Sequence, residues 1–352
     1  MSDTNTAELS ERVANEIRRR WVKLAPADLS YQVPPEKVDA VAKTAFTTML
    51  VRDWRVTPLP PPEEHAQLLA RVVHWVRRSK PIRVRIGYAP MKNACTVDHT
   101  TADWAEMFSL CHLAAWHNKV QAVYPPGLEI RIIFDDSTVR MANRYDTAPM
   151  EDYMQSVGRL ITALGYDPLI VNTIRQSSFA WIFNFGFYQV ANFRVRRWER
   201  NPENKPTLDR MQEFARRNLV LADDLPEAEK EKLYQAAAHR YRVYWEALQL
   251  SGFSRLGKGL NAMYLDGHQH HLRQEAALHL ASLGKQQLTQ PWQGPGALLD
   301  NGAGKLVPIV LTAKRLARVD CESVELPGLI PLPDFATIQV ARERVEAPAA
   351  TV

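Results

Sequence analysis

Three β-like runs, each leading into polar residues and separated by helix-like segments, constrain this chain more than any other feature. The run IRVRIGYAP leads into Met91-Lys92-Asn93, LEIRIIF into Asp135-Asp136, and LIVNTI into Arg175-Gln176. A helix-like segment from Asp103 to Tyr124 joins the first two runs, and another from Pro149 to Gly165 joins the second and third. That βαβαβ order predicts an α/β fold with a mostly parallel sheet flanked by helices. Right-handed crossovers put the C-terminal ends of all such strands on one edge. Lys92, Asp135, Asp136 and Arg175 are therefore expected at a single rim.

The surrounding segments suggest three regions. Residues 1–62 read as an N-terminal helical segment, with an amphipathic helix over 1–25, a second helical piece over 35–51 and a stiff linker at Pro58-Leu59-Pro60-Pro61-Pro62. Residues 63–225 read as the α/β core, opened by a helix over 63–78. In its first crossover helix, Asp103 and Glu106 have the spacing of a capping box, and Pro125-Pro126-Gly127 marks the stop. Residues 226–352 read as a smaller mixed region that completes the site. Its pattern is helical to Leu250, then a short strand over 260–265, a helix over 271–283, an irregular stretch QPWQGPGALLDNGAGK, the strand LVPIVLTA and a loose tail.

Composition narrows the class. The chain has 352 residues, 46% apolar and 24% charged, and no run nears the eighteen or so apolar residues of a membrane span. A polar, mixed-charge N-terminus and only three cysteines, Cys95, Cys111 and Cys321, without metal or redox spacing, predict a cytoplasmic protein without membrane attachment. The net charge of +5 raises an RNA- or anion-binding reading. The arginines are scattered, in runs at Arg18-Arg19-Arg20, Arg77-Arg78, Arg194 to Arg197 and Arg216-Arg217, and no nucleic-acid-binding motif accompanies them. A solvated surface is the preferred account, with no nucleic-acid partner.

Phosphate-binding glycine loops of the nucleotide-binding kinds are absent. His268-Gln269-His270-His271 lacks the i, i+4 spacing of a helical zinc site, so no metal is assigned. His268 and His271 are instead candidates for acid/base work or anion binding. A lysine on the rim can form an imine with a carbonyl or hold a phosphate. Successive aspartates in extended backbone point to opposite sides, so one of Asp135 and Asp136 faces the site and the other tethers the following loop with Arg140 and Arg144. Arg175 suits bidentate capture of a carboxylate or phosphate. The aromatic tract after it, with Phe179 and Trp181, reads as core or as the apolar wall of a pocket.

These residues carry a family resemblance. RIGYAPMKNAC, then ADWAEMFSLCHLAAWHNKVQAVYPPGLEIRIIFDDSTV and MEDYMQSVGRLI, resemble the pyoverdine/dityrosine biosynthesis family, which includes the isocyanide (isonitrile) synthases. Its Pro-aromatic-Lys, Tyr-x-Pro-Gly and Ser-Asp-Gly elements are matched by Pro90-Met91-Lys92, Tyr124-Pro125-Pro126-Gly127 and Phe134-Asp135-Asp136-Ser137, with Tyr153 on the next helix. Gln290-Pro291-Trp292-Gln293 is similar to its Pro-Trp-His element. The similarity is dense over about residues 85 to 165.

The resemblance implies a Rossmann-like enzyme of specialised metabolism that modifies the amino group of a free amino acid. It implies ribulose 5-phosphate as co-substrate, no required cofactor, and the possibility of a homodimer. Lys92 and the facing one of Asp135 and Asp136 would perform imine and proton-transfer steps, with His268 the further acid/base candidate already read from the residues. Arg140 and Arg175 would hold phosphate or carboxylate, and Tyr153, Phe179, Trp181, Trp292 and His271 would bind substrate. Met91, Asp136-Ser137 and Gln293 depart from the family pattern. The product thus stays open between an isocyanide and another amino-acid modification, N-formylation or nitrogen–nitrogen bond formation, as in siderophore pathways.

Overall fold

The computed structural model describes residues 3–51, 62–175, 186–250, 263–266, 277–279 and 290–344. Alternating apolar and polar residues in the first two runs produce strands β1 (Ile82–Tyr88) and β2 (Leu128–Phe134), which pair in parallel from Ile82 opposite Leu128 to Tyr88 opposite Phe134. Ile82, Val84, Ile86 and Tyr88 share one buried face with Leu128, Ile130, Ile132 and Phe134. The other face is less usual for a parallel sheet, since it carries charge. There Glu129 accepts from Arg131 at 2.8 Å and lies 3.1 Å from Arg83, whose guanidinium rests 4.4 Å above the Trp75 ring.

Strand β3 (Ile170–Arg175) adds beside β2, while β4 (Met263–Asp266) and β5 (Ala277–His279) add on the far side of β1. The order β3-β2-β1-β4-β5 is parallel throughout. The expected α/β sheet and its common rim are borne out. The chain turns outward in opposite directions from β1, so the crevice between β1 and β4 is the topological switch point where such sheets bind ligands.

Helices cover the sheet. Near the N-terminus lie α1 (Asp3–Arg20), α2 (Val38–Met49) and α3 (Pro62–Val76), which contribute Val13, Ile17, Phe46, Met49 and Val72 to the main core. The crossover helix α4 (Trp104–Gln121) is buried on nearly every side, because sheet packs on one flank and the C-terminal region on another. Beyond β2 come α5 (Asp136–Asn143) and α6 (Thr147–Leu164). The segment holding Arg140, expected as loop, is thus helical, because its backbone continues directly from the β2 end into α5.

Helices α7 (Gly186–Glu199) and α8 (Lys205–Asn218) each pack on α9 (Glu227–Leu250), which also packs on α5. The smaller C-terminal sheet has the order β7-β6-β9-β8, with β6 (Gly296–Asp300), β7 (Leu306–Val310), β8 (Val319–Glu325) and β9 (Thr337–Glu343). Its β6–β9 pair is parallel and its outer pairs antiparallel, so the mixed character expected of this region is present. Two local expectations are corrected. The helix expected over 271–283 gives way at 277–279 to a strand paired with β4, and the stretch read as irregular contains β6, whose hairpin partner is β7.

Candidate active site

Two elements of the first βαβ unit meet at the rim. Lys92 follows β1 by four residues, and the first turn of α4 returns to the same edge, as the start of a crossover helix must. Asp103 caps that helix. Its Oδ1 accepts from the Ala105 N–H at 2.7 Å, and Glu106 Oε2 accepts from the Asp103 N–H at 2.8 Å. The capping box read from the sequence forms, and its two carboxylates do something further.

Lys92 is 2% exposed, and its ammonium sits between them. Nζ lies 2.7 Å from Glu106 Oε2 and 3.0 Å from Asp103 Oδ1, and donates to the carbonyls of Pro291 at 3.1 Å and Gly294 at 3.3 Å. Glu106 is fully buried, and its second oxygen accepts from the Tyr153 hydroxyl at 2.8 Å. The backbone of Gly296 donates to Asp103 Oδ1 at 3.1 Å. A Cβ at Gly296 would lie 2.0 Å from the Ala105 nitrogen, so only glycine lets β6 approach this closely.

The two carboxylates differ in electrostatics. Burial raises Asp103, but Lys92, His99 and the Ala105 N–H outweigh it and hold the group below the usual carboxylate range. Burial dominates at Glu106, and with the negative Asp103 nearby it is pushed up to about 6 despite Lys92. Paired carboxylates driven apart in this way divide into one that stays ionised and one suited to take and return a proton. Burial, reinforced by Glu106, keeps the Tyr153 hydroxyl protonated far above its ordinary range.

An aromatic shelf lies beside this cluster. Trp292 is buried 5.2 Å from Tyr88 between ring centroids, Phe134 lies 6.2 Å from Tyr88, and Tyr153 lies 6.3 Å from Phe134. The hydroxyls of Tyr88 and Ser109 are 2.7 Å apart. The main chain of Trp292 accepts from the Asn93 N–H at 2.8 Å.

The other expected residues stand as follows. Asp135 occupies the N-cap position of α5 and its N–H bonds to the Tyr88 carbonyl at 3.0 Å, while Asp136 is buried at the first helical position. Burial raises the hydroxyl of Tyr241 on α9, and the charge of Asp135 adds to that. Arg140 is exposed on α5, and Arg175 ends β3 opposite Phe134. Phe179, Trp181, His268 and His271 lie outside the described residues. Lys92, Tyr153 and Trp292 are thus brought together, and the ion partners of Lys92 are Asp103 and Glu106. Sequence reasoning assigned those two only to the helix cap. Their position in the first turn of a crossover helix, at the rim by topology, was the available signal.

Helices α8 and α9 roof the same edge. Asn93 Nδ2 donates to the Arg217 carbonyl at 3.1 Å, and the Tyr145 hydroxyl bonds to the Asn218 carbonyl and accepts from the Val220 N–H at 3.2 Å. Many arginines of the scattered runs are paired: Arg19 and Arg20 with Glu16, Arg194 with Glu246, Arg217 with Glu213, and Arg216 with Glu213 and Glu231. Among the described residues no helix is long and apolar enough to cross a membrane.

No protein-family model and no curated protein matches the chain. Among solved structures, the crystal structure of the PvcA protein from Pseudomonas aeruginosa is similar to it, with a TM-score of 0.62 at 15% identity, covering 86% of this chain and 100% of that one. At that identity the likeness is one of fold: this chain has a PvcA-like α/β architecture over the whole length of that protein.

Proposed function

We propose that the chain is an isocyanide-synthase-like enzyme of specialised metabolism that modifies the amino group of a free amino acid, with ribulose 5-phosphate as carbon source. The observation that carries this reading is the buried Lys92, held just beyond the C-terminal end of β1 by two carboxylates whose proton affinities are shifted in opposite directions. Buried ion clusters are costly relative to apolar packing, and shifted carboxylates gather at functional sites. The motif resemblance around residues 85–165 and the PvcA-like fold support the same reading.

In this reading Glu106 takes a proton from Lys92, and the freed amine adds to the sugar-phosphate carbonyl, forming an imine and releasing water. Asp103 stays ionised and keeps the lysine aimed, and Tyr153 donates to Glu106 throughout. Asp135, Asp136 and His268 serve later proton transfers, and Arg140 and Arg175 take the phosphate or the amino-acid carboxylate. Trp292, Phe179, Trp181 and His271 border the amino-acid side chain. The reaction draws its carbon from the co-substrate and calls on no resident cofactor.

The test is incubation of the purified protein with mixed amino acids, with and without ribulose 5-phosphate, followed by mass spectrometry. The expected result is one amino acid consumed only when the sugar phosphate is present, and lost in Lys92→Arg, which keeps the buried positive charge. Consumption independent of the sugar phosphate would instead support N-formylation or nitrogen–nitrogen chemistry. No conversion of any amino acid defeats the reading.

A further inference from the structure

Lys92, Asp103 and Glu106 are buried, and the His99 side chain, 38% exposed, reaches Asp103 from the solvent side. His99 Nδ1 is 3.1 Å from the Thr101 carbonyl, and Nε2 is 3.3 Å from Asp103 Oδ2. A carbonyl oxygen only accepts, so Nδ1 carries a proton. Asp103 is kept ionised by its surroundings, so it also only accepts, and Nε2 carries a proton too. A ring with both nitrogens protonated is the cation. Among the described residues Asp103 Oδ2 is buried with no hydrogen-bond partner to replace this ion contact, whereas Oδ1 receives Lys92, Ala105 and Gly296. The outcome is a row of alternating charges, His99, Asp103, Lys92 and Glu106, that runs from solvent to the buried end.

Resting on the lysine reading above, we propose that His99 is a solvent-facing positioning residue for the Lys92 site: charged, it clamps Asp103; neutral, it lets go and changes the reactivity of the lysine. The charged groups that act on His99 are Asp103, Lys92 and Glu106. The contact with Asp103 leads and raises its proton affinity above the ordinary imidazole value, while burial and the like charge of Lys92 oppose that. The coupling to Lys92 is reciprocal: a charged His99 disfavours the ammonium and so favours the free amine. Once His99 is neutral, the Thr101 carbonyl keeps the remaining proton on Nδ1 and a lone pair on Nε2 faces the carboxylate. The contact opens and Asp103 bears on Lys92 alone.

Two measurements test this. Labelling with formaldehyde and cyanoborohydride, mapped by peptide mass spectrometry, reads the free-amine fraction of Lys92 across pH, and imidazole NMR reads the titration of His99. In the wild-type chain the Lys92 profile is expected to inflect at the midpoint of His99, above the free-imidazole value. His99→Gln, at a partly exposed position, should lose the inflection and label Lys92 about fivefold more slowly below it. Asp103→Asn should lower the His99 midpoint. The inference is overturned if His99 titrates as a free imidazole, or if the Lys92 profile of His99→Gln superimposes on that of the wild type. Failure of wild-type Lys92 to label at any pH defeats the imine reading instead. The His99 clamp is then decided by the Asp103→Asn shift alone, its absence refuting it.

Discussion

Lys92 Nζ and Glu106 Oε2 lie 2.7 Å apart, the closer of the two carboxylate contacts of a lysine that is itself buried. Their mutual dependence is energetic as well as chemical. Lys92→Ala strands two buried carboxylates, and a loss of about 3–5 kcal/mol of stability is expected from urea unfolding. Adding Glu106→Gln to that change should cost less than the sum of the two single substitutions, since the groups share one network.

Tyr153→Phe removes one donor from Glu106 and little volume. Stability should fall by about 2 kcal/mol, the scale of a hydrogen bond to a charged acceptor. The lost donor favoured the ionised form, so Glu106 should take up its proton above its present value of about 6. Infrared difference spectra across pH, read at the protonated-carboxyl band, check the direction.

His117 supplies an acid-sensitive lock. It is buried, its Nδ1 accepts from the Leu128 N–H at 3.1 Å, and burial drives its proton affinity down to about 4 from an ordinary 6.5. In the unfolded chain it protonates first as pH falls. The unfolded state therefore binds more protons between these values, and stability drops on acidification through that window by about 3 kcal/mol from this group. Denaturation midpoints measured along the window should show the slope, and His117→Gln should flatten it.

Two glycines should respond in opposite ways to alanine. Gly296→Ala puts a methyl group into the backbone of α4 and should destabilise by about 3 kcal/mol or more. Gly158, within α6, leaves open space, with no atom within 4 Å of where a Cβ would sit, so Gly158→Ala should add up to about 1 kcal/mol. Thermal melts of the pair decide it.

The parallel sheet was legible because β1 and β2 alternate cleanly and each is followed by a periodic helix or a turn. The C-terminal sheet was not. Its β6 carries a near-continuous buried face, Gly296 to Leu299, without alternation, and its defining pairing with β9 spans about forty residues. At the site, Lys92 was legible from topology and motif. The Asp103–Glu106 spacing concealed a second role, because a capping box explains both residues locally and leaves nothing for pattern reading to notice. His99 carried no signal, since its meaning depends on a ring orientation that only three-dimensional packing provides.

The carbonyls of Pro291 and Gly294 stand 199 and 202 residues beyond the lysine they bind. During synthesis Lys92 and the first turn of α4 leave the ribosome long before these partners and before the glycine N–H that fixes Asp103. The nascent chain can build its parallel sheet while the lysine is still wet and unaimed. Docking of the late segment is thus the event that takes Lys92 out of water and fixes its ammonium, about two hundred residues after the lysine itself was made.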